Sequence, residues 1–293
     1  MLTKLPTYLS VAVLLFIVVP SQAQNKYRKQ IKHELSGGIG YANCLTDLGG
    51  GQGDGGYIRD LDLNMTRPAA QIGYRILIGN KTAFKSTFSY LRVGGDDANS
   101  GNLGRRERNL NFTSNIYELK LQFEYYLVEE PEGIYNFSGF RYNGPFRFDY
   151  SLYLFGGIAP FYFNPKTTYQ GQTYALRDLT TEGQGLPDGP DTYGSIALAI
   201  PLGIGFKYII NRQISVGFET SVRFTTTDYL DDVSSTYHNQ DAIRQQSGDV
   251  AAALADRRTR DNRGSSGGIR GNPDNNDVYF AGFFSFNYKL KSK

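Results

Sequence analysis

Apolar residues recur at every second position in eight stretches of this chain, each about as long as a strand that crosses a bilayer at a tilt. Period-2 alternation gives an extended strand one apolar face and one polar face. The clearest stretch carries Tyr117, Leu119, Leu121, Phe123, Tyr125 and Leu127, with Glu118, Lys120, Gln122, Glu124 and Tyr126 between them. Ile196 to Tyr208, Ile214 to Phe224 and Val278 to Leu290 repeat the pattern. Weaker alternation covers 33–43, 69–78, 82–92 and 149–163. An even number of such strands can close into a barrel with no exposed edge.

The connections decide which barrel is expected. In chain order they are 44–68, 79–81, 93–112, 128–148, 164–194, 211–213 and 225–277. Short turns thus tend to alternate with long loops, as in outer-membrane barrels, where the turns are periplasmic and the loops outside. A soluble sandwich or lipocalin-like barrel has shorter strands and no reason for that alternation. The expected fold is therefore all-β, an eight-stranded antiparallel transmembrane barrel with long extracellular loops. Composition agrees: 22 Tyr, 19 Phe and 34 Gly sit in a chain of polar average, with 14% aromatics. Disordered chains are poor in aromatics, and Gly and Tyr are poor helix formers.

Lys4, the apolar run Leu9–Val19 and the small residues Ser21 and Ala23 form a secretory signal, giving a 1–23 leader and a 24–293 barrel. The apolar run is too short to span a bilayer as a helix. Localisation in the outer membrane follows, with lipid as the surroundings of the barrel wall. A net charge of +3 is too mild for a nucleic-acid partner. Cys44 is the single cysteine, which excludes an intramolecular disulfide and a cysteine-based zinc site.

An eight-stranded barrel has room inside only for side chains. The inward positions carry Glu34, Glu118, Glu124 and Glu219 against Arg75, Lys85, Lys120, Lys207 and Arg223. Near-balanced charge in so narrow a space points to a salt-bridged plug. On the apolar face, Tyr41, Tyr74, Tyr90, Tyr117, Tyr125, Tyr150, Tyr162, Tyr208 and Tyr288 are placed to form interfacial belts.

No catalytic set emerges. The two histidines, His33 and His238, fall at opposite ends of the expected barrel, and no nucleophile or metalloprotease motif occurs. No enzyme activity, cofactor, metal or small-molecule substrate is inferred. The clusters Asp60/Asp62/Asn64, Asp96/Asp97/Asn99 and Asp274–Asp277 lack the ligand spacing of a calcium loop and read as solvated turns. Residues 244–275 read as a solvated loop with one short helix over 249–258, and 238–276 as a polar insertion. The connection 128–148 is longer than a periplasmic turn needs. Its Glu129, Glu132, Tyr135, Phe137, Phe140 and Arg141 interleave charge with aromatics, as a partner-docking surface does.

Several strings resemble one family. They are Gly95-Asp96-Asp97-Ala98-Asn99, Asn109-Leu110-Asn111-Phe112 with Ile116-Tyr117-Glu118, and Leu154-Phe155-Gly156-Gly157-Ile158 with Phe163-Asn164-Pro165. Thr181-Glu182-Gly183-Gln184-Gly185-Leu186 and Thr227-Asp228-Tyr229-Leu230-Asp231-Asp232-Val233-Ser234 complete the set. Together they resemble the Bacteroidota outer-membrane barrels of the PorG type, a component of the type IX secretion and gliding machinery. The resemblance implies contact with a periplasmic ring built by a lipoprotein and its partner, and no catalysis. It marks Asp96, Asp97, Asn99, Glu182, Asp228, Tyr229, Asp231 and Asp232 as a candidate loop motif. A stand-alone surface barrel for adhesion or envelope integrity is the alternative.

Overall fold

The structure, a computed structural model, describes residues 31–49, 62–130, 149–258 and 266–290. Eight long strands build the barrel: β1 (Lys32–Leu45), β2 (Arg67–Ile78), β3 (Thr82–Asp96), β4 (Asn111–Val128), β5 (Tyr150–Tyr162), β8 (Ile196–Ile209), β9 (Ile214–Thr225) and β10 (Val278–Lys289). A small hairpin, β6 (Pro165–Tyr169) and β7 (Gln172–Ala175), extends β4 beyond the wall. The strands run in the order β3-β2-β1-β10-β9-β8-β5-β4, and β4 pairs back with β3. Every pairing is antiparallel, so the sheet closes and no wall strand is left as an edge. The expected eight-stranded barrel is the observed one.

Register follows the alternation. Along β4 the buried positions are Glu118, Lys120, Gln122, Glu124 and Tyr126, while Tyr117, Leu119, Leu121, Phe123, Tyr125 and Leu127 are exposed. Leu202 and Ile204 on β8, Phe84 and Phe88 on β3, and Phe284 and Phe286 on β10 continue the exposed apolar band. In water such a surface would be an aggregation hazard. Apolar outside and charged inside is the arrangement of a barrel that spans an outer membrane. Among the described residues no helix is long and apolar enough to cross a membrane.

The turns at one end are tight for local reasons. Gly79 takes φ +68 between β2 and β3, a conformation costly for other residues. Between β8 and β9 the Asn211 side chain accepts from the Gln213 and Ile214 amides, at 2.9 and 2.8 Å, and fixes the bend. The chain leaving β4 has a bulge between Tyr126 and Val128. Bulges re-aim the residues beside them, and Glu130 just beyond turns into the barrel mouth.

At the other end the loops are built, not merely solvated. They contain α1 (Leu103–Arg108), α2 (Leu176–Leu179) and α3 (Gln240–Ala255). Helix α3 starts at Asn239, whose side chain accepts from the Asp241 and Ala242 amides, and it kinks at Gly248. Its Ile243, Ala251, Ala252, Leu254 and Ala255 are buried. This corrects the expected solvated loop with a helix over 249–258. Apolar residues at helical spacing inside a polar segment found a surface to cover, and the helix begins nine residues earlier than expected.

Candidate functional site

Two constellations stand out, one inside the barrel and one across its loop end.

Inside, β2 delivers Arg75 to the centre of the lumen. Its Nε meets Glu124 of β4 at 2.8 Å, its Nη2 meets Glu219 of β9 at 2.9 Å, and Nη1 donates to Glu34 of β1. The same Nη2 donates to the Tyr153 hydroxyl at 3.0 Å, and that hydroxyl donates to Glu219 at 2.6 Å. Lys85 reaches Glu219 at 2.6 Å, and Lys120 lies 4.0 Å from its other oxygen. One layer towards the loops, Arg223 pairs with Glu118 at 2.8 Å and Tyr279 donates to the same carboxylate. One layer towards the turns, Lys207 pairs with Glu34 at 2.6 Å. All nine lumen residues singled out in the sequence are thus buried, seven of them in one network around Arg75 and Glu219, and Arg223 with Glu118 as a separate pair.

The network has members that alternation did not mark. Glu130 lies outside the strands, yet it is buried, 3.2 Å from Lys207 and 2.8 Å from Lys289. Those two ammonium groups outweigh its burial and hold the carboxyl down at about 2. Its neighbour Glu129 stays exposed, 3.5 Å from Lys81. The adjacent candidate docking residues Glu132, Tyr135, Phe137, Phe140 and Arg141 lie outside the described residues. Two inward glycines make the space: a Cβ on Gly205 would sit 2.2 Å from the Tyr153 ring, and one on Gly203 2.5 Å from Phe155.

Across the loop end, the acidic strings converge on a buried polar cap. Asp97 accepts from both Nε and Nη2 of Arg108 (2.7 and 2.9 Å) and from the Gly49 and Leu110 amides. Arg108 also donates to the Asp47 carbonyl at 2.6 Å and to the Arg270 carbonyl, tying three loops together. Glu182 accepts from Arg270 at 2.9 Å and from the amides of Ser234 and Ser235. Asp232, in the left-handed region at φ +68, accepts from Thr181 and from Tyr193, the latter at 2.6 Å. Asp231 binds the amides of Leu48 and Val233, and Asp277 binds the Leu230 amide at 2.8 Å. Tyr229 stacks on Tyr193 at 4.4 Å, and Tyr193 stacks on Phe163.

These placements correct the expectation of solvated acidic turns at Asp97 and Asp277, while Asp274, Asn275 and Asn276 are exposed as expected. Asp97, Glu182, Asp231 and Asp232 are fully buried, as is nearly all of Asp277. Asp96 and Asp62 do behave as turn residues, each capping a short 3-10 helix. Asn99 stands exposed on one of those turns, and Asp60 lies outside the described residues. Among the described residues no group of three His, Cys, Asp or Glu side chains is arranged to hold a metal ion. In the polar segment, Arg270 is buried at the centre of the cap and Ile269 bridges to Thr236. Arg108 and Tyr193 escaped the sequence analysis, and Arg270 and Asp277 were read as solvated, because no periodicity or short spacing links residues on separate loops.

Burial dominates the electrostatics of the cap. It pushes Asp228 up to about 7, with Asp47 and Glu182 nearby adding to the rise. Asp232 is raised by burial to about 6 against the pull of Arg270. Asp231 and Asp277, each facing other carboxyls, lie well above the ordinary range. His33 sits at the turn end, its ring beside Tyr74, and His238 lies in the cap against the Pro187 carbonyl. What the arrangement can do chemically is fix loops to one another.

The family described as "Domain of unknown function (DUF6089)" matches residues 9–252. The chain belongs to this family. The DUF6089 match runs into α3, so the first part of the 238–276 segment belongs to the family's own extent. No curated protein matches the chain. Among solved structures it is similar to Ail, the attachment invasion locus protein of Yersinia pestis, with 10% identity, TM-score 0.39, and 89% of this chain and 99% of that one covered. It is also similar to the N-terminal β-barrel domain of Pseudomonas aeruginosa OprF, at 6% identity and TM-score 0.35, covering 89% of this chain and 100% of that one. Neisserial surface protein A is similar at 8% identity and TM-score 0.35, covering 88% and 97%.

Proposed function

We propose that this DUF6089 barrel is a non-enzymatic structural component of the type IX protein secretion machinery, anchored in the outer membrane and docked to a periplasmic ring. The observation that carries the reading is the filled barrel. Arg75 with its three carboxylates occupies the lumen and the cap covers the loop end, so the molecule offers a wall and two faces. An anchor needs such a body, while a diffusion pore needs an open one. The resemblance to PorG-type barrels supports the secretion role. Its longest string, Thr227 to Ser234, lies in the core of the cap.

The docking face is the periplasmic connection, with Glu129, Glu132, Tyr135, Phe137, Phe140 and Arg141 as its contact residues and the ring lipoprotein and its partner as its ligands. Replacing 131–148 by a tight turn keeps Glu130 and the barrel. Mild crosslinking followed by a pull-down then recovers ring components with the wild-type chain and not with the shortened one. If both capture the same components, or secretion is unchanged by the shortening, the docking role is wrong.

The built cap supports a second reading, a surface barrel for adhesion or envelope integrity. Its exposed Leu103 and Ile269 would be contact points outside the cell. Under that reading, shortening 131–148 has no effect, while loop changes abolish attachment.

A further inference from the structure

The lipid-facing wall carries a groove. Near the loop end, Ile39, Tyr41, Pro68, Ala70, Tyr90 and Phe284 line a groove of about 630 Å³. Register explains its shape. Tyr90 of β3 lies beside Ala70 of β2, Ala70 beside Ile39 of β1, and Ile39 beside Phe284 of β10. One row nearer the loops, Pro68 lies beside Tyr41 and Tyr41 beside Gly282. Small residues therefore form a floor between ridges of large ones, on a face already committed to hydrocarbon. The volume is within the range of sites that hold a small ligand, roughly 300–1,000 Å³.

The mouth of the groove is basic. Arg92 follows Tyr90 on the same outward face of β3 and is exposed. Arg67 immediately precedes Pro68 but falls on the opposite, inward parity of β2, and its guanidinium donates to the Asn64 carbonyl and to the Met65 sulfur, so Arg92 is the cation beside the groove. Among the described residues Arg92 has no carboxylate partner, in contrast to the paired cations Arg75, Arg108, Arg223 and Arg270. Arginine at the membrane interface pairs with lipid phosphate.

We propose that this groove is a binding site for one acyl lipid with a phosphate-bearing headgroup, its chain lying on Pro68 and Ala70 and its phosphate held by Arg92. The apolar floor is continuous with the lipid-facing band, and Arg92 supplies the complementary charge.

The test uses the full-length chain in nanodiscs holding equal parts of phosphatidylglycerol and an uncharged glycosyl diacylglycerol with matched chains. Lipid retained on release is read by native mass spectrometry. The wild-type barrel retains phosphatidylglycerol in preference to the neutral lipid. Ala70→Phe fills the floor with an apolar group that a lipid-facing position accepts, and retention of both lipids falls to background. Arg92→Gln lowers retention of phosphatidylglycerol about fivefold and leaves the neutral lipid unchanged. The Arg92 variant carries the test on its own should the Phe variant fail to insert. Equal retention of the two lipids by wild type overturns the proposal. So does full retention by Ala70→Phe, or a dimer that Ala70→Phe dissolves, which would make a second copy of the chain the occupant.

Discussion

Arg75 neutralises carboxylates from three strands, so its removal takes a partner from Glu34 and Glu219, which keep Lys207 and Lys85, and leaves Glu124 buried with no basic partner among the described residues. Breaking a buried ionic network from one side costs about 3–5 kcal/mol, far more than the intact network is worth against an apolar replacement. Arg75→Ala should lower unfolding stability in urea-titrated vesicles by that amount. Lys81→Ala, which cuts an exposed pair with Glu129, should change it by no more than about 0.5 kcal/mol. The cap carries a pH dependence of definite sign. Asp228 at about 7 and Asp232 at about 6 keep their protons in the closed cap longer than in an opened one, and Asp231 and Asp277 lie higher still. The closed cap is unpenalised below about pH 4, where both states are protonated, and loses stability as pH rises through the folded values. Asp47 and Glu182 face Asp228 and oppose its ionisation, while Arg270 favours that of Asp232. The near-ultraviolet circular dichroism of the stacked Tyr193 and Tyr229 should therefore weaken between pH 5 and about pH 8, and Asp228→Asn should flatten that change. Glu130 works the other way at the turn end. Its lowered value stabilises the barrel above about pH 4 and is lost as the pH falls towards 2.

Helix α3 tests whether the cap is a separate element or part of the barrel. Its Leu254 joins the apolar cluster that runs from the upper lumen through Leu230 and Val233. Burying a carboxylate there is prohibitive without a partner, so Leu254→Asp should release the helix. Limited proteolysis should then cut within 240–258 while the heat-modifiable mobility of the folded barrel on gels persists; loss of both would show that cap and barrel fold as one unit. The difference between wall and cap also marks what the sequence makes legible. A strand between lipid and a charged lumen must alternate at every position, so β4 and β8 announce their inward Glu118, Glu124 and Lys207 residue by residue. The cap obeys no period. Asp97 finds Arg108 eleven residues on, but Glu182 finds Arg270 eighty-eight residues away, and nothing in the polar run around Arg270 signals burial. Glu130 shows the same limit at the turn end, because a bulge, not alternation, aims it.

At the scale of the whole molecule, the filled lumen and the buried cap are independent barriers in series. The cap could be expected to act as a gate, its opening at high pH exposing a channel. The lumen argues otherwise. Arg75, Glu219, Tyr153 and Lys85 come from four different strands and meet near the barrel axis, and Lys120 lies over the Phe155 ring in the same layer. Those contacts involve no cap residue, so loosening the cap leaves them in place. Wild-type barrels in a planar bilayer should show no stable conductance steps at pH 5 or at pH 8, and Leu254→Asp should behave the same. Steps should appear only when the lumen itself is emptied, as in the combined Arg75→Ala, Glu219→Ala and Tyr153→Ala variant. That variant leaves Lys85, Lys120 and Glu124 without these partners, so residual current should favour anions. Conductance in Leu254→Asp alone would make the cap a gate and remove the main support for an anchoring body, since a barrel that opens when its loops move is built to pass something.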